Sequence, residues 1–337
     1  MKARACVAAW LAASLVAVGQ GAAQDRPAEP APLAAKALLL DVASAGELRV
    51  AVGERGIVLI SDDGAQNWRQ ATSVPTQSTL TGVFLFDTKK GVAVGHDEVI
   101  LGTADGGDTW DKVHYAPDAQ QPLFDVFFLD PLHGIAVGAY GAYFTTRDGG
   151  VTWSPQKFSA APVTGTAPAP ASDDPYADPP PEFHLNQIAA SGGRLFIAGE
   201  SGQLYRSDDR GETWQTLPSP YDGSFFGVLP LDGDVVLAFG LRGHLFRSED
   251  AGKTWRRIET GTVALLTDGV RLSGGRVAIV GLSGVVLVSE DEGKTFQLVQ
   301  QEDRKGLAAV VTRGRSALTV VGEGGIKDIV TGEAGTP

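Results

Sequence analysis

Short apolar runs, rich in Val, Ala, Ile and Leu and cut off every few residues by Gly or Asp, follow one another along nearly the whole chain. One stretch shows the pattern in full: LTGVFLFD (80–87), KGVAVG (90–95), EVILGTAD (98–105) and TWDKVH (109–114). Short runs with β-branched residues and turn formers at both ends read as strands joined by tight turns. Helical periodicity is absent outside the first 20 residues, so the pattern predicts an all-β protein.

The four-strand unit repeats. Six copies of an acidic signature, Ser/Thr-x-Asp-x-Gly-x-Thr-Trp, stand at SDDGAQNW (61–68), TADGGDTW (103–110), TRDGGVTW (146–153), SDDRGETW (207–214), SEDAGKTW (248–255) and SEDEGKTF (289–296). Their starts lie 42, 43, 61, 41 and 41 residues apart. A second element, Ala-Val-Gly-x-x-Gly in its fullest form, occurs seven times and is anchored on Gly53, Gly95, Gly138, Gly199, Gly240, Gly281 and Gly322. A unit of about 40 residues carrying four short strands is a propeller blade. The expected fold is a single seven-bladed β-propeller of four-stranded antiparallel blades, the last one incomplete because only three strands follow Gly306. Either the segment 25–36 lends that blade an outer strand or the blade stays three-stranded. Pro27, Pro30 and Pro32 oppose a long strand there.

The acidic signature falls on the hairpin between the third and fourth strands. Its aspartates, Asp63, Asp105, Asp148, Asp209, Asp250 and Asp291, suit a turn because a short carboxylate accepts hydrogen bonds from the turn's own N–H groups. Gly107 allows the positive φ of such a turn, and Trp110 offers a large apolar anchor between blades. Catalysis or calcium binding is the competing reading, but neither requires one aspartate per blade.

The first 23 residues read as a signal peptide: Lys2 and Arg4, an apolar stretch from Ala5 to Val18, and the small residues Gly21-Ala22-Ala23. The apolar stretch is short for a bilayer span, which takes about 20 residues. Residues 24–34 then form a linker and 35–331 the propeller, with a Pro/Ala-rich insertion at about 155–183 that serves as a spacer or a docking arm. Cleavage after Ala23 removes Cys6, the only cysteine, and leaves 26 basic against 40 acidic side chains, a net of −14. The expected location is the periplasm or the medium, with no stable membrane insertion after cleavage. Such an acidic surface disfavours nucleic acid.

Alternating strand direction puts the second-to-third strand turns and the inter-blade loops on one face, opposite the acidic signatures. Candidates for a partner-binding face there are Arg55, His96, Tyr140, Glu200, Arg242 and Glu323 on the turns, with Tyr221 and His184 on the loops. The same turns and loops carry Glu98 and His114. No enzyme is predicted: the five histidines are scattered, no metal-ligand spacing or nucleophile elbow occurs, and no cofactor or metal is expected.

The acidic repeat is the Asp-box, or BNR-type repeat, of sialidases and of several non-enzymatic propellers. Combined with AVGERG (51–56), the AVG-AYG turn at 136–141 and VGLSG (280–284), it resembles the photosystem II assembly and stability factor family. The resemblance implies a seven-bladed propeller that binds a protein partner, as a monomer, in the assembly or stabilisation of a membrane complex. In a photosynthetic organism that complex would belong to photosynthesis; an exported relative in a non-photosynthetic bacterium would serve an envelope transporter. The arginine-rich docking strip implied by the family has no counterpart here, since the arginines are dispersed. The alternative is a sialidase-like glycoside hydrolase or glycan-binding propeller, with Arg55, Arg242 and Tyr140 converging at the channel mouth; its Phe-Arg-Ile-Pro motif is missing.

Overall fold

The structure is a computed structural model that describes residues 25–163, 182–314 and 317–331. The signal peptide and the middle of the Pro/Ala-rich insertion lie outside the described residues. Seven antiparallel sheets form, each with its strands in chain order from the inside of the ring outward. The second blade has strands Leu80–Leu85, Gly91–Gly95, Ile100–Thr103 and Asp111–His114. Six sheets have four strands; the last has three, Leu307–Arg313, Ala317–Gly322 and Gly325–Val330. The seven-bladed propeller with an incomplete last blade is the architecture the repeats predict.

Local chemistry sets each blade. The second strand is almost wholly buried and ends on the anchoring glycine of the repeat. At Gly95 a Cβ would lie 2.2 Å from the carbonyl oxygen of Thr79, so no larger residue fits. Opposite that glycine the innermost strand slips by one residue in every blade, as between Leu80 and Gly82. The bulge turns successive side chains of the inner strand toward the next blade. Thr81 Oγ1 thereby donates to the carbonyl of Leu123, Asn186 Nδ2 to that of Phe225 and Thr267 Oγ1 to that of Leu307.

The core lies between blades. Seven apolar clusters fill the seven interfaces, and the aromatic residue closing each acidic signature enters the cluster shared with the preceding blade: Trp110 beside Leu48 and Val83, Trp153 beside Val92, Trp214 beside Ile135. Among the described residues the cluster between blades six and seven holds no such aromatic, and no acidic signature follows Gly322.

Ring closure needs no borrowed strand. Leu39, Val42, Ala51 and Leu59 of blade one pack on Ala309, Val311 and Val321 of blade seven. On one rim Arg313 Nε donates to the carbonyl of Gly64, and Arg49 Nη2 reaches back to that of Thr312. Residues 25–36 form no strand. They cross blade one, from Asp25 against Lys112 to a short 3-10 turn, Ala34–Lys36, that packs on the last strand.

Candidate functional site

The two rims are built differently. On one, the acidic turns meet the first-to-second strand turns, with Gly106 N donating to Lys89 O and Ala251 N to Asp234 O. Inside each acidic turn one carboxylate organises the chain. Asp105 Oδ1 accepts from Thr109 N at 2.9 Å and from the Thr103 hydroxyl at 3.0 Å, and its Oδ2 accepts from the Thr109 hydroxyl at 2.6 Å. The same set recurs at Asp148, Asp209, Asp250 and Asp291. In the first blade Asn67 replaces threonine, and its N–H and Nδ2 both donate to Asp63. These bonds favour the ionised form: the Asn67 N–H is first among those holding Asp63 down at about 2, and the Thr152 hydroxyl holds Asp148 at about 2. Every one of these carboxylates is bonded within its own turn.

A second set of aspartates, which sequence reasoning did not single out, lies at the inner edge of the ring. Asp41, Asp125 and Asp268 are each the third residue of an innermost strand and share that place with Gln187. Each accepts an N–H of the following blade: Val83 to Asp41, Ile188 to Asp125, Val310 to Asp268. Loss of hydration deep in the ring pushes these carboxyls up, Asp125 to about 7 and Asp268 to about 6, and Asp41 is raised further by the other two. They staple blades. Among the described residues no group of three or more His, Cys, Asp or Glu side chains could hold a metal ion.

The other rim carries the candidate residues. Its second-to-third strand turns take a left-handed conformation at Arg55, Asp97, Tyr140, Ser201, Arg242 and Ser283. The residue after each is glycine, with one exception: Glu98. In five blades a neighbouring segment runs across that glycine. A Cβ would meet Thr76 O at 2.0 Å from Gly56, Tyr221 O at 2.5 Å from Gly202, Thr262 O at 2.1 Å from Gly243, Arg304 Cα at 3.1 Å from Gly284 and Ala35 O at 2.0 Å from Gly325. The N-terminal segment thus does for blade seven what an inter-blade loop does elsewhere. Blade two differs: its loop rises into a 3-10 turn, Pro117–Ala119, tied by Ala116 N to Asp97 O, and Glu98 occupies the glycine position. In blade three no described residue comes within 4 Å of a Cβ on Gly141.

A groove of about 840 Å³ opens at this departure. It runs from Glu98 and His114 of blade two, across Tyr140, Tyr143 and Phe144 of blade three, to Tyr205 of blade four, with Phe158 and Phe183 from the flanks of the insertion. Glu98 Oε2 lies 3.1 Å from His114 Nε2, and its side chain is 8% exposed. Phe158 packs on Tyr143 and Tyr205, with ring centroids 5.4 and 4.9 Å away.

The predicted face residues separate into groups. Tyr140 and His184 meet edge to face at 4.8 Å, and Glu200 binds the His184 N–H at 2.9 Å, so these three stand together beside the groove. Tyr221 packs on His244 at 4.3 Å, at the blade four to five loop. Glu323 Oε2 accepts from Gly306 N at 2.9 Å and closes a loop of blade seven. His96 is exposed on its turn. Arg55 lines a separate hollow under Pro30 and Leu33, and Arg242 lines neither that hollow nor the groove, so Arg55, Arg242 and Tyr140 do not share a pocket. Sequence reasoning missed Tyr143, Phe158 and Tyr205, which look like strand and loop residues until the fold brings them together. Glu98 had a visible signal: it breaks the glycine column of the repeat.

Residues 114–278, just under half the chain, match the family model described as photosynthesis system II assembly factor YCF48. This is the family the repeats resemble. Among solved structures, one of YCF48 bound to D1 peptide is similar, with a TM-score of 0.67 and 18% identity over 88% of this chain and 94% of that one. YCF48 from Cyanidioschyzon merolae gives 0.65 and 16% over 88% and 95%. The WD40 propeller domain of Doa1 gives 0.67 and 12% over 92% and 97%, so at this level the likeness shows the propeller fold alone. No curated protein matches the sequence.

Proposed function

We propose that this chain is an exported, non-enzymatic propeller scaffold that binds a protein partner and works in the assembly or stabilisation of a membrane complex. The family match over 114–278 carries this reading, and a similar propeller is known with a peptide bound. The physical case agrees with it. The repeated carboxylates are consumed by turns and blade staples, whereas the open groove presents aromatic rings and a few polar groups, the composition of a protein-recognition surface. A photosynthetic host would make the complex photosystem II; a bacterium without photosystems would make it an envelope transporter. The protein acts from the periplasm as a monomer after loss of residues 1–23.

The test is cross-linked co-purification of the tagged mature chain from its native envelope. Stoichiometric recovery of a membrane-complex subunit is expected. Recovery of nothing above background, together with binding of glycans in a screen, would replace the reading by the glycan-binding alternative.

A further inference from the structure

Glu98 stands where the fold asks for glycine. Its φ is 51°, while the glycines at the same place in the other blades have φ between 67° and 78°. A side chain in the left-handed region costs about 1 kcal/mol or more, and the Glu98 side chain, 8% exposed, also loses hydration. The contact with His114 Nε2 is the one side-chain hydrogen bond its carboxyl makes among the described residues. A left-handed, nearly buried carboxylic side chain in the lining of an open groove points to a recognition site.

We propose that the groove across blades two to four binds an extended peptide segment of the protein partner through a lysine or arginine side chain, with Glu98 as the anchoring carboxylate. This rests on the protein-binding reading above and names its chemistry. Tyr140, half exposed, stands at the approach with the buried Tyr143 and Phe144 behind it, and an exposed aromatic face stabilises a cation as well as the apolar stem that carries it. Glu182 adds a second carboxylate, against the exposed Lys157. The volume suits a few residues of an extended chain. The protein's own insertion is the wrong occupant by charge: residues 164–181 contain Asp173, Asp174 and Asp178 and neither lysine nor arginine.

Two probe peptides test this on the full mature chain: acetyl-Phe-Arg-Phe-amide and its uncharged twin with citrulline for arginine. Calorimetry should show the arginine peptide binding at least ten-fold more tightly, and Glu98→Gln should erase that preference. Glu98→Gly should erase it as well while keeping or raising Tm, which separates lost recognition from lost folding. Equal affinity for the two peptides, no binding of either, or a preference that survives Glu98→Gln would overturn the proposal. So would arginine-peptide binding that appears only after residues 164–181 are exchanged for a short Gly-Ser linker, since the insertion would then be the occupant. If wild type and Glu98→Gln recover the same partner equally from the envelope, the scaffold reading stands and the Glu98 anchor falls.

Discussion

Among the described residues, five of the seven second-to-third strand turns are roofed by a neighbouring segment packed against the glycine position and two are not, although the strands beneath them are nearly the same. Over Gly56, Gly202, Gly243 and Gly325 a passing segment comes so close that a Cβ cannot be accommodated, and over Gly284 it leaves only a tight 3.1 Å. At Glu98 a large side chain fills the place, and at Gly141 the described residues leave it open. The groove lies at the two exceptions. A repeat fold can therefore make a site by changing the residue at one turn position, glycine to Glu98 in blade two, while the blade cores and acidic turns carry on unchanged.

The roofed turns give the sharpest test. Gly243→Ala places a Cβ 2.1 Å from the carbonyl oxygen of Thr262, at a φ of 69°. Steric conflict with backbone on top of left-handed strain should cost about 3 kcal/mol or more, seen in urea unfolding as a lower midpoint with unchanged slope. A variant as stable as wild type would mean that the roof yields and that the distinction between the two kinds of turn is false.

The opposite rim supplies a reference that does not depend on any roof. Asp105→Ala removes the acceptor of three hydrogen bonds within 3.0 Å and leaves the Thr109 N–H and hydroxyl to solvent. A loss of about 2 kcal/mol is expected, measured by thermal unfolding, and Asp250→Ala should behave alike because its bonds are the same. The two losses should add, since blades two and five share no interface. No change in either variant would sink the turn-organising role of these carboxylates.

The fold was legible because its determinants are local and repeated. Gly95 or Asp105 announces the same backbone each time it recurs, and seven recurrences fix the number of blades. The site was legible only in part. Tyr140, His184 and Glu200 could be assigned to one face from strand alternation, but their meeting depends on how blades three and four abut. Asp41, Asp125 and Asp268 stayed hidden because they occupy three of seven equivalent places, with glycine, glutamine or alanine in the others, and their partners are N–H groups of the next blade. Arg55 and Arg242 were grouped with Tyr140 because turn membership reveals a rim and not a position around it.

Gly141→Ala is the counterpart of Gly243→Ala. With no described atom within 4 Å of the new methyl, only the left-handed backbone at φ 72° opposes it, and the cost should be about 1 kcal/mol. The difference between these alanine variants measures the roof itself. Equal losses would show that blade three is covered after all and that the groove is narrower than its lining implies.

The smallest effect concerns the insertion, and its boundaries matter. Ala161 pairs with the outer strand of blade four, where its N–H donates to Trp214 O and its carbonyl accepts from Thr216 N, both at 2.8 Å. On the far side His184 is held by Glu200. Exchanging residues 164–181 for a short Gly-Ser linker keeps both ties, and Tm should stay within about 2 °C of wild type, because loop-closure cost changes slowly with length. Removing 160–180 instead cuts the Ala161 pair and should cost roughly 1 kcal/mol more. Loss of cooperative unfolding in the first variant would make the insertion part of the ring; equal stability of the two would mean that the Ala161 pairing contributes nothing to it.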